Sequence, residues 1–160
     1  MPYTMKADGL TEIAEQLSQM AEKAVPVAAQ ALYEGAGIMA DEVKKGAETI
    51  KTAPFQFARE GQRLPSPEEK EIVMAASAGI AKFDKGDDSV DTSVGYRNAG
   101  YAELNGKTKP IPVIVNAINS GTSFMNKQPF VRKAAKNGSS KALAAMKASI
   151  EKAFEDMTKN

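Results

Sequence analysis

The chain has 160 residues, a formal net charge of +1 and no Cys, His or Trp. Its length predicts one domain around one core. The missing residue types exclude disulfides, thiolate nucleophiles, imidazole bases and the usual nitrogen and sulfur ligands of transition metals, so an enzyme would have to work with carboxylates, Lys, Tyr or Ser.

Charge is divided unevenly along the chain. Residues 1–80 carry 8 Lys and Arg against 12 Asp and Glu, a net −4, and residues 81–160 carry 13 against 8, a net +5. If the two halves map onto opposite faces, this division could bring copies of the chain together head to tail. Chance variation is the alternative explanation.

Neither a secretory signal nor a membrane span is expected. The start, Met1 to Lys6, runs into a polar amphipathic stretch without the apolar h-region of a signal peptide. The longest largely apolar run, Ile72 to Ala81, is well short of the roughly 18 residues that a span needs. We expect a soluble protein.

A long amphipathic helical arm is predicted over residues 8–51. Apolar residues recur at spacings of 3 and 4 on both sides of Pro26, so a second helix or a kinked continuation follows that proline. The two stripes are Leu10, Ile13, Leu17, Met20 and Ala24, then Ala28, Leu32, Ala36, Met39, Val43, Ala47 and Ile50. Packing against the C-terminal stripe is the simplest use of this arm, but part of it could be reserved for a partner subunit.

Gly35 and Gly37 lie close together in the middle of the arm. Gly35 and Gly37 each cost roughly 1 kcal/mol relative to Ala inside a helix. They indicate either a close packing contact or a weak point in the arm.

An irregular connector, residues 52–66, precedes a short helix. Pro54, Gly61 and Pro65 mark the connector, and Phe55 and Phe57 are expected to attach it to the core. The run Ser66-Pro67-Glu68-Glu69 then has the pattern of a capping box, with Ser as N-cap and Pro at the first helical position. A helix over residues 67–78 is predicted.

A small β region is predicted over residues 89–115. Val90, Thr92, Val94 and Tyr96 alternate with polar residues or Gly, as in a half-buried strand. Asn98-Ala99-Gly100 and Asn105-Gly106 are turn signals, and the second favours a two-residue hairpin. Residues Ile111 to Val115 could be the next strand or, from Pro112, a short helix that ends near Gly121.

Residues 121–134 predict a shaped loop that enters a helix. Gly121 can adopt a positive φ, Thr122 and Ser123 can bond to nearby backbone, and Pro129 suits a first helical turn. Phe124, Met125 and Phe130 add apolar anchors, while Lys127, Arg132, Lys133 and Lys136 make the segment basic. Such a loop can dock onto a partner or hold a corner of its own fold.

The final helix is predicted after a break at Gly138-Ser139-Ser140, with Ser140 as its cap. Leu143, Met146, Ile150, Phe154 and Met157 follow the 3 and 4 spacing and are expected to face inward. The methionines of the stripes, Met20, Met39, Met146 and Met157, are expected to lie in the core.

No motif for a catalytic arrangement, a phosphate-binding loop or a dinucleotide fingerprint occurs, and no enzymatic activity or cofactor is expected. Asp84, Asp87, Asp88 and Asp91 could offer oxygen ligands to Ca²⁺ or Mg²⁺. Their spacing does not match an EF-hand loop, so an acidic turn is the simpler interpretation and no metal site is predicted.

A basic cluster raises the possibility of nucleic-acid binding. Its members are Lys127, Arg132, Lys133, Lys136 and Lys141, which could meet phosphates. The near-neutral total charge and the lack of a reader motif favour a solvated face or contact with an acidic protein surface. A small nucleic-acid-binding or regulatory module that uses this surface is nevertheless the alternative function.

Together these segments predict a single α+β domain over residues 1–160. It has long N-terminal amphipathic helices, a small mainly antiparallel β-sheet, and a loop with C-terminal helices over residues 119–158.

The order of these parts resembles the neck and tail-completion (head-tail joining) family of long-tailed bacteriophages, which is related in plan to minor tail proteins. The family signature is an acidic or amide residue before Gly-Thr-Ser, then Met, a polar spacer and Pro-Phe-hydrophobic-Arg leading into a helix. The matching residues are Asn119, Gly121, Thr122, Ser123, Met125, Gln128, Pro129, Phe130, Val131, Arg132 and Ala134. The chain departs from the family pattern at Asn119-Ser120-Gly121, where Glu-aromatic-Gly is common.

The resemblance implies a non-enzymatic structural protein of the virion, assembled in the bacterial host cytoplasm and built into the neck or tail. Implied partners are a connector or stopper and a tail tube or terminator, with a homo-oligomeric ring, commonly a hexamer, and with neither membrane nor dedicated nucleic-acid binding. The residues expected to make contacts are Phe124, Met125, Lys127, Phe130 and Arg132, with Gly121, Thr122, Ser123 and Pro129 fixing the loop. The alternative for Phe124 and Phe130 is that they are core anchors.

Overall fold

The protein is described by a computed structural model that covers residues 10–54, 63–76, 78–82, 84–85 and 90–159. Its helices are α1 (Leu10–Glu48), α2 (Pro67–Ala76), α3 (Ile111–Ser120) and α4 (Phe130–Thr158). Its strands are β1 (Gly79–Ile80), β2 (Asp84–Lys85), β3 (Val90–Asp91), β4 (Val94–Gly95), β5 (Tyr101–Leu104) and β6 (Lys107–Pro110). The predicted α+β fold with a long N-terminal helix is confirmed.

The N-terminal arm is one helix. Residues 10–48 continue through Pro26, so a separate second helix is not formed. At its C-terminal end, the Lys70 ammonium donates to the carbonyls of Glu48 (2.7 Å) and Ile50 (3.0 Å). A cation suits this position because the last carbonyls of a helix lack partners and carry partial negative charge.

Helices α1 and α4 pack antiparallel at close range. A Cβ at Gly46 would lie 3.0 Å from the carbonyl oxygen of Phe130, and one at Gly35 would lie 2.6 Å from the sulfur of Met146. A Cβ at Gly138 would lie 2.9 Å from the sulfur of Met39. Three glycines therefore sit where the two helices touch.

The predicted break at Gly138-Ser139-Ser140 is wrong, because α4 runs unbroken from Phe130 to Thr158. Gly138 is buried against α1, where it permits close approach instead of ending a helix. Ser140 is an exposed residue inside the helix, not a cap.

The predicted inward face of α4 is also wrong in part. Leu143 is 64% exposed and Phe154 38% exposed, whereas the buried face consists of Phe130, Ala134, Gly138 and Ala142. Small side chains allow the helix backbones to approach, so α4 presents its narrow face to α1 and turns part of its bulky stripe outward. Met20, Met39, Met146 and Met157 are all half-buried rather than fully enclosed.

The capping box of α2 is confirmed. The amide N of Glu69 donates to Ser66 Oγ (3.1 Å), and the amide N of Ser66 donates to Glu69 Oε2 (2.7 Å). The helix ends at Ala76, two residues earlier than predicted. Phe55, Phe57 and Gly61 of the predicted connector lie outside the described residues.

The β region consists of two small antiparallel hairpins and starts earlier than predicted. The pairs β1–β4 and β2–β3 are successive parts of one interrupted hairpin, so the predicted strand of residues 90–96 appears as two short pieces. In the second hairpin β5 pairs with β6, and the predicted Asn105-Gly106 turn is confirmed with φ values of 54° and 70°. Residues 111–115 belong to helix α3, which removes the alternative of a further strand.

The core lies between the second half of α1, helix α3 and the start of α4. Its buried members include Val43, Ala47, Ile50, Val73, Tyr96, Leu104, Ile111, Ile114, Val115, Ile118, Met125, Phe130 and Ala134. The rings of Tyr96 and Phe130 meet edge to face with centroids 6.4 Å apart. This aromatic pair joins the β region to the start of α4.

The glycine contacts predict opposite effects for two helical Gly→Ala changes. At Gly46 the new methyl group would meet the Phe130 carbonyl, a backbone atom that cannot rotate away, so we expect a loss of about 1–3 kcal/mol in the free energy of unfolding. At Gly37 no atom outside the local helix lies within 4 Å, so Ala should add about 0.5–1 kcal/mol through its helix propensity. Urea unfolding of both variants checks this, and equal stabilisation by both would contradict the close packing of α1 and α4.

Candidate functional site at the turn between helices α3 and α4

The residues singled out by the sequence lie in the segment between α3 and α4. We call residues 119–132 the corner segment. It begins in the last turn of α3 and ends in the first turn of α4. Within it, the chain has to reverse between two helices that both contribute to the core.

Gly121 ends helix α3 with a conformation that favours glycine. Its φ is +78°, and its amide N donates to the carbonyl of Ala117 at 3.0 Å. A Cβ at this position would lie 3.0 Å from both the amide N and the Cβ of Lys127. The positive φ and the close approach of the returning chain both require a residue without a side chain.

Residues 122–125 form a closed turn. The amide N of Thr122 donates to the carbonyl of Met125 (3.0 Å), and the Thr122 hydroxyl accepts from the amide N of Phe124 (3.3 Å). The turn places Ser123 and Phe124 at its exposed tip, with Phe124 59% exposed. Met125 points the other way and is only 3% exposed.

Arg63 attaches this turn to the rest of the fold. Its amide N donates to the carbonyl of Phe124 (2.8 Å), and its carbonyl accepts from the amide N of Asn126 (2.9 Å). The backbone on both sides of Met125 is therefore held like a strand in a ladder. The position of Phe124 follows from backbone bonds as well as from packing.

The side chain of Arg63 extends this connection to α2. Its two terminal nitrogens donate to the two carboxylate oxygens of Glu69, each at 2.7 Å. Both side chains are largely shielded from solvent. Glu69 therefore both binds Arg63 and caps the start of α2, because it also accepts from the amide N of Ser66.

These contacts shift the ionisation of both groups. Burial would raise the pKa of Glu69, but the hydrogen bonds from Arg63 and from the Ser66 amide outweigh it, so the pKa lies below its usual 4.5. The hydrogen bond to Glu69 raises the pKa of Arg63 above its usual value. The pair is charged under all ordinary conditions.

Two amide side chains complete the corner segment. The carboxamide of Gln128 accepts from the amide N of Lys51 (2.8 Å) and donates to its carbonyl (2.7 Å). Asn119 Oδ1 accepts from the amide N of Val131 (3.2 Å). This amide is in the first turn of α4, where the N–H groups have no acceptor within the helix. Gln128 therefore joins the segment to the end of α1, and Asn119 joins α3 to α4.

The start of α4 separates a buried aromatic from an exposed basic surface. Pro129 directly precedes the helix, and Phe130 is 3% exposed. Lys127, Arg132, Lys133 and Lys136 are exposed. The structure therefore places Phe124, Lys127 and Arg132 at the surface and Met125 and Phe130 in the core.

Sequence reasoning missed two contacts that hold the corner segment in place: the backbone bonds of Arg63 and the side-chain bonds of Gln128 to Lys51. Arg63 lies in the connector and had no motif to mark it, and the role of Gln128 depends on Lys51, 77 residues away. The one sequence feature that could have pointed to Arg63 is Glu69 of the capping box. A buried carboxylate has two oxygens that accept hydrogen bonds, so it needs a donor beyond the Ser66 amide.

The described residues contain no group of three or more His, Cys, Asp or Glu side chains placed to hold a metal ion. Of the acidic cluster, Asp87 and Asp88 lie outside the described residues. In the described part of the chain, no helix combines the length and apolar character needed to cross a membrane.

Comparison with known proteins yields no match. No family model matches the chain, and no curated protein or solved structure is significantly similar to it.

The Arg63–Glu69 pair predicts a pH-dependent loss of stability. Glu69→Gln should lower the free energy of unfolding at pH 7 by about 3 kcal/mol, because it removes the carboxylate charge that accepts from both terminal nitrogens of the largely shielded Arg63 side chain. Since the folded-state pKa of Glu69 is lowered, its contribution is complete above about pH 4.5 and is lost as the pH falls through the folded-state value. The difference between wild type and variant should therefore shrink below pH 4.5 in urea titrations.

Glu68→Gln is the matched control, since Glu68 is exposed in the same helical turn. Its effect should stay within about 1 kcal/mol, as for a carboxylate near a helix N-terminus. Equal effects of the two substitutions at pH 7 would contradict the assigned role of Glu69.

Proposed function

We propose that this chain is a non-enzymatic structural protein of a bacteriophage virion that acts in head-tail joining or tail completion at the neck. The proposal starts from the sequence resemblance of residues 119–134. It is supported by the corner segment, where a braced turn presents an exposed aromatic side chain and exposed basic residues follow it in the chain.

The residues that carry the resemblance have separate physical roles in shaping the corner segment. Asn119 caps α4, Gly121 permits the reversal, and Gln128 ties the segment to α1. Phe130 anchors the segment in the core. Phe124 is not part of the signature. The other apolar residues of the segment hold it in its shape instead of contacting partners.

Phe124 is the side chain best placed for docking. It is 59% exposed although the backbone on both sides of it is hydrogen-bonded. Aromatic residues and Arg are enriched where proteins bind each other, and a pre-ordered loop loses less entropy on binding. Lys127 and Arg132 would favour an acidic patch on the neighbouring neck or tail protein.

The proposed partners are the components next to a neck protein, a connector or stopper on one side and a tail tube or terminator on the other. Several copies arranged as a ring would give each neighbour the same repeated contact. Assembly in the bacterial host cytoplasm and final location in the virion follow from this proposal.

Electron microscopy of virions tests the function directly. We expect the protein, marked by a specific antibody fragment, at the neck or tail, and we expect particles made without it to have unjoined or incomplete tails. Its absence from purified virions that are fully joined would overturn the proposed function.

A substitution pair tests the role of Phe124. Phe124→Ser should leave the free energy of unfolding within about 0.5 kcal/mol of wild type, since the side chain is exposed, yet it should reduce the number of joined particles. Tyr101→Ser is the control, because Tyr101 is also exposed, at 73%, but lies on the β5–β6 hairpin. Equal joining by the two variants would contradict the docking role of Phe124.

A nucleic-acid-binding module is the second candidate, favoured by the exposed cations at the start of α4. Lys127, Arg132, Lys133 and Lys136 are exposed, whereas Lys141 donates to Glu42 at 2.9 Å. This function predicts duplex binding that weakens steeply with added salt. Binding that survives at physiological salt and is lost in Lys133→Glu/Lys136→Glu would favour it over the assembly function.

A further inference from the structure

Helix α4 carries an exposed stripe outside its buried face. Its residues are Arg132, Lys136, Leu143, Lys147 and Phe154, and all five are exposed. The spacings of 4, 7, 4 and 7 residues place them within about 60° around the helix. We call them the outer stripe; it combines three cations with two large apolar side chains over about 33 Å.

The apolar part of the outer stripe is not an isolated exposed side chain. Leu143 is 64% exposed and Phe154 38% exposed, and they lie three turns apart with Lys147 between them. Lys147 is 3.7 Å from Glu151, but both side chains are mostly exposed, so this pair contributes little. The outer stripe therefore has the composition expected for contact with an acidic amphipathic helix.

The first part of α1 extends past the end of α4. Gly46 lies against Phe130, Gly138 against Met39 and Gly35 against Met146, so each step back along α1 is a step forward along α4. By this register Thr158, the last residue of α4, lies opposite roughly residue 20 of α1. Residues 10 to about 19 continue as helix for about 14 Å beyond it.

The sequence of this extension is amphipathic and acidic. Gly35 faces α4, and Leu10 and Leu17 lie 25 and 18 residues before it. These separations are close to seven and five helical turns, so both positions are on the same face of α1 as Gly35. Residues 10–24 include Glu12, Glu15 and Glu22 against a single Lys23. A helical end of this kind is marginal in water without tertiary contacts.

We propose that the outer stripe of one copy binds residues 10–24 of α1 from a second copy. The cations of the stripe complement the acidic sequence of the arm, and Leu143 and Phe154 supply the apolar surface that an amphipathic helix needs. The two surfaces lie on different parts of the chain, so the contact is heterologous and can close into a ring or continue as a filament. This inference rests on the proposed assembly function and specifies the contact between its copies.

Single cysteines test the contact, and the chain has no native Cys to interfere. Chains with Ile13→Cys and chains with Leu143→Cys, of different size through a tag, are mixed and oxidised. Within one chain the two positions are about 33 Å apart along α1, far beyond the roughly 7 Å that a disulfide allows between Cα atoms. We expect the mixed disulfide to be the main product.

Lys44→Cys replaces Ile13→Cys in the matched control, because Lys44 is exposed on α1 but lies near its other end. It should give at least about tenfold less mixed disulfide with Leu143→Cys, since random collisions alone bring the two sulfurs together. Equal yields from the two pairs would overturn the proposed contact.

Charge reversal supplies an independent measurement by sedimentation velocity. Lys136→Glu/Lys147→Glu and Glu12→Lys/Glu15→Lys should each weaken self-association by roughly tenfold. Mixing the two variants should restore it, because each arm then meets a stripe of opposite charge. Lys107→Glu/Lys109→Glu, which changes two exposed lysines of β6 by the same charge, should have no effect.

The outcomes separate this inference from the proposed function. A protein found in virions whose association is insensitive to both reversals would retain the function and lose the inference. A protein that forms the mixed disulfide but is absent from virions would retain the contact and lose the function. A protein that stays monomeric at all attainable concentrations would overturn the inference.

Discussion

The close antiparallel approach of α1 and α4 is the constraint on which the rest of the structure depends. Gly46 of α1 lies against the carbonyl of Phe130, the first residue of α4, so the position of this contact decides where α4 must begin. The chain leaving α3 has nine residues, 121–129, in which to reach that point. Gly121, the turn at Thr122 and the backbone bonds with Arg63 shape this stretch, and the side chain of Gln128 ties it to the backbone of Lys51.

Local signals in the sequence predicted the structure where the relevant physics is local. The Ser66-Glu69 capping box and the Asn105-Gly106 turn depend on residues within a few positions of each other, and both form as predicted. The two errors in α4 have a common physical cause. From sequence alone, Gly next to Ser residues predicts a helix break, and a stripe of Leu, Met and Phe predicts a buried face. Both predictions fail because α1 approaches α4 so closely that the contact needs small residues, Gly138 and Ala142.

In the corner segment too, the local features could be predicted and the long-range contacts could not. Its sequence indicates a shaped loop, and the positive φ of Gly121 and the Thr122 bond agree with that. Which aromatic residue is exposed could not be predicted, because Phe124 and Phe130 have equal hydrophobicity and only the tertiary contact with Tyr96 assigns Phe130 to the core. Arg63 and Gln128 act on backbone groups that are distant in sequence, a type of contact that leaves no periodic pattern.

Two of the regions that we connect with partners lie toward opposite ends of helix α1. Helix α1 has 39 residues and is therefore about 58 Å long, with the corner segment held near its C-terminal end through the bond between Gln128 and Lys51. Its N-terminal end extends beyond the end of α4. Since α4 braces α1 over most of this length, a partner bound at Phe124 and one bound at the N-terminal end of α1 would be kept at a nearly fixed separation. A braced helix of this kind could serve the proposed role, in which one component holds two neighbours at a set distance.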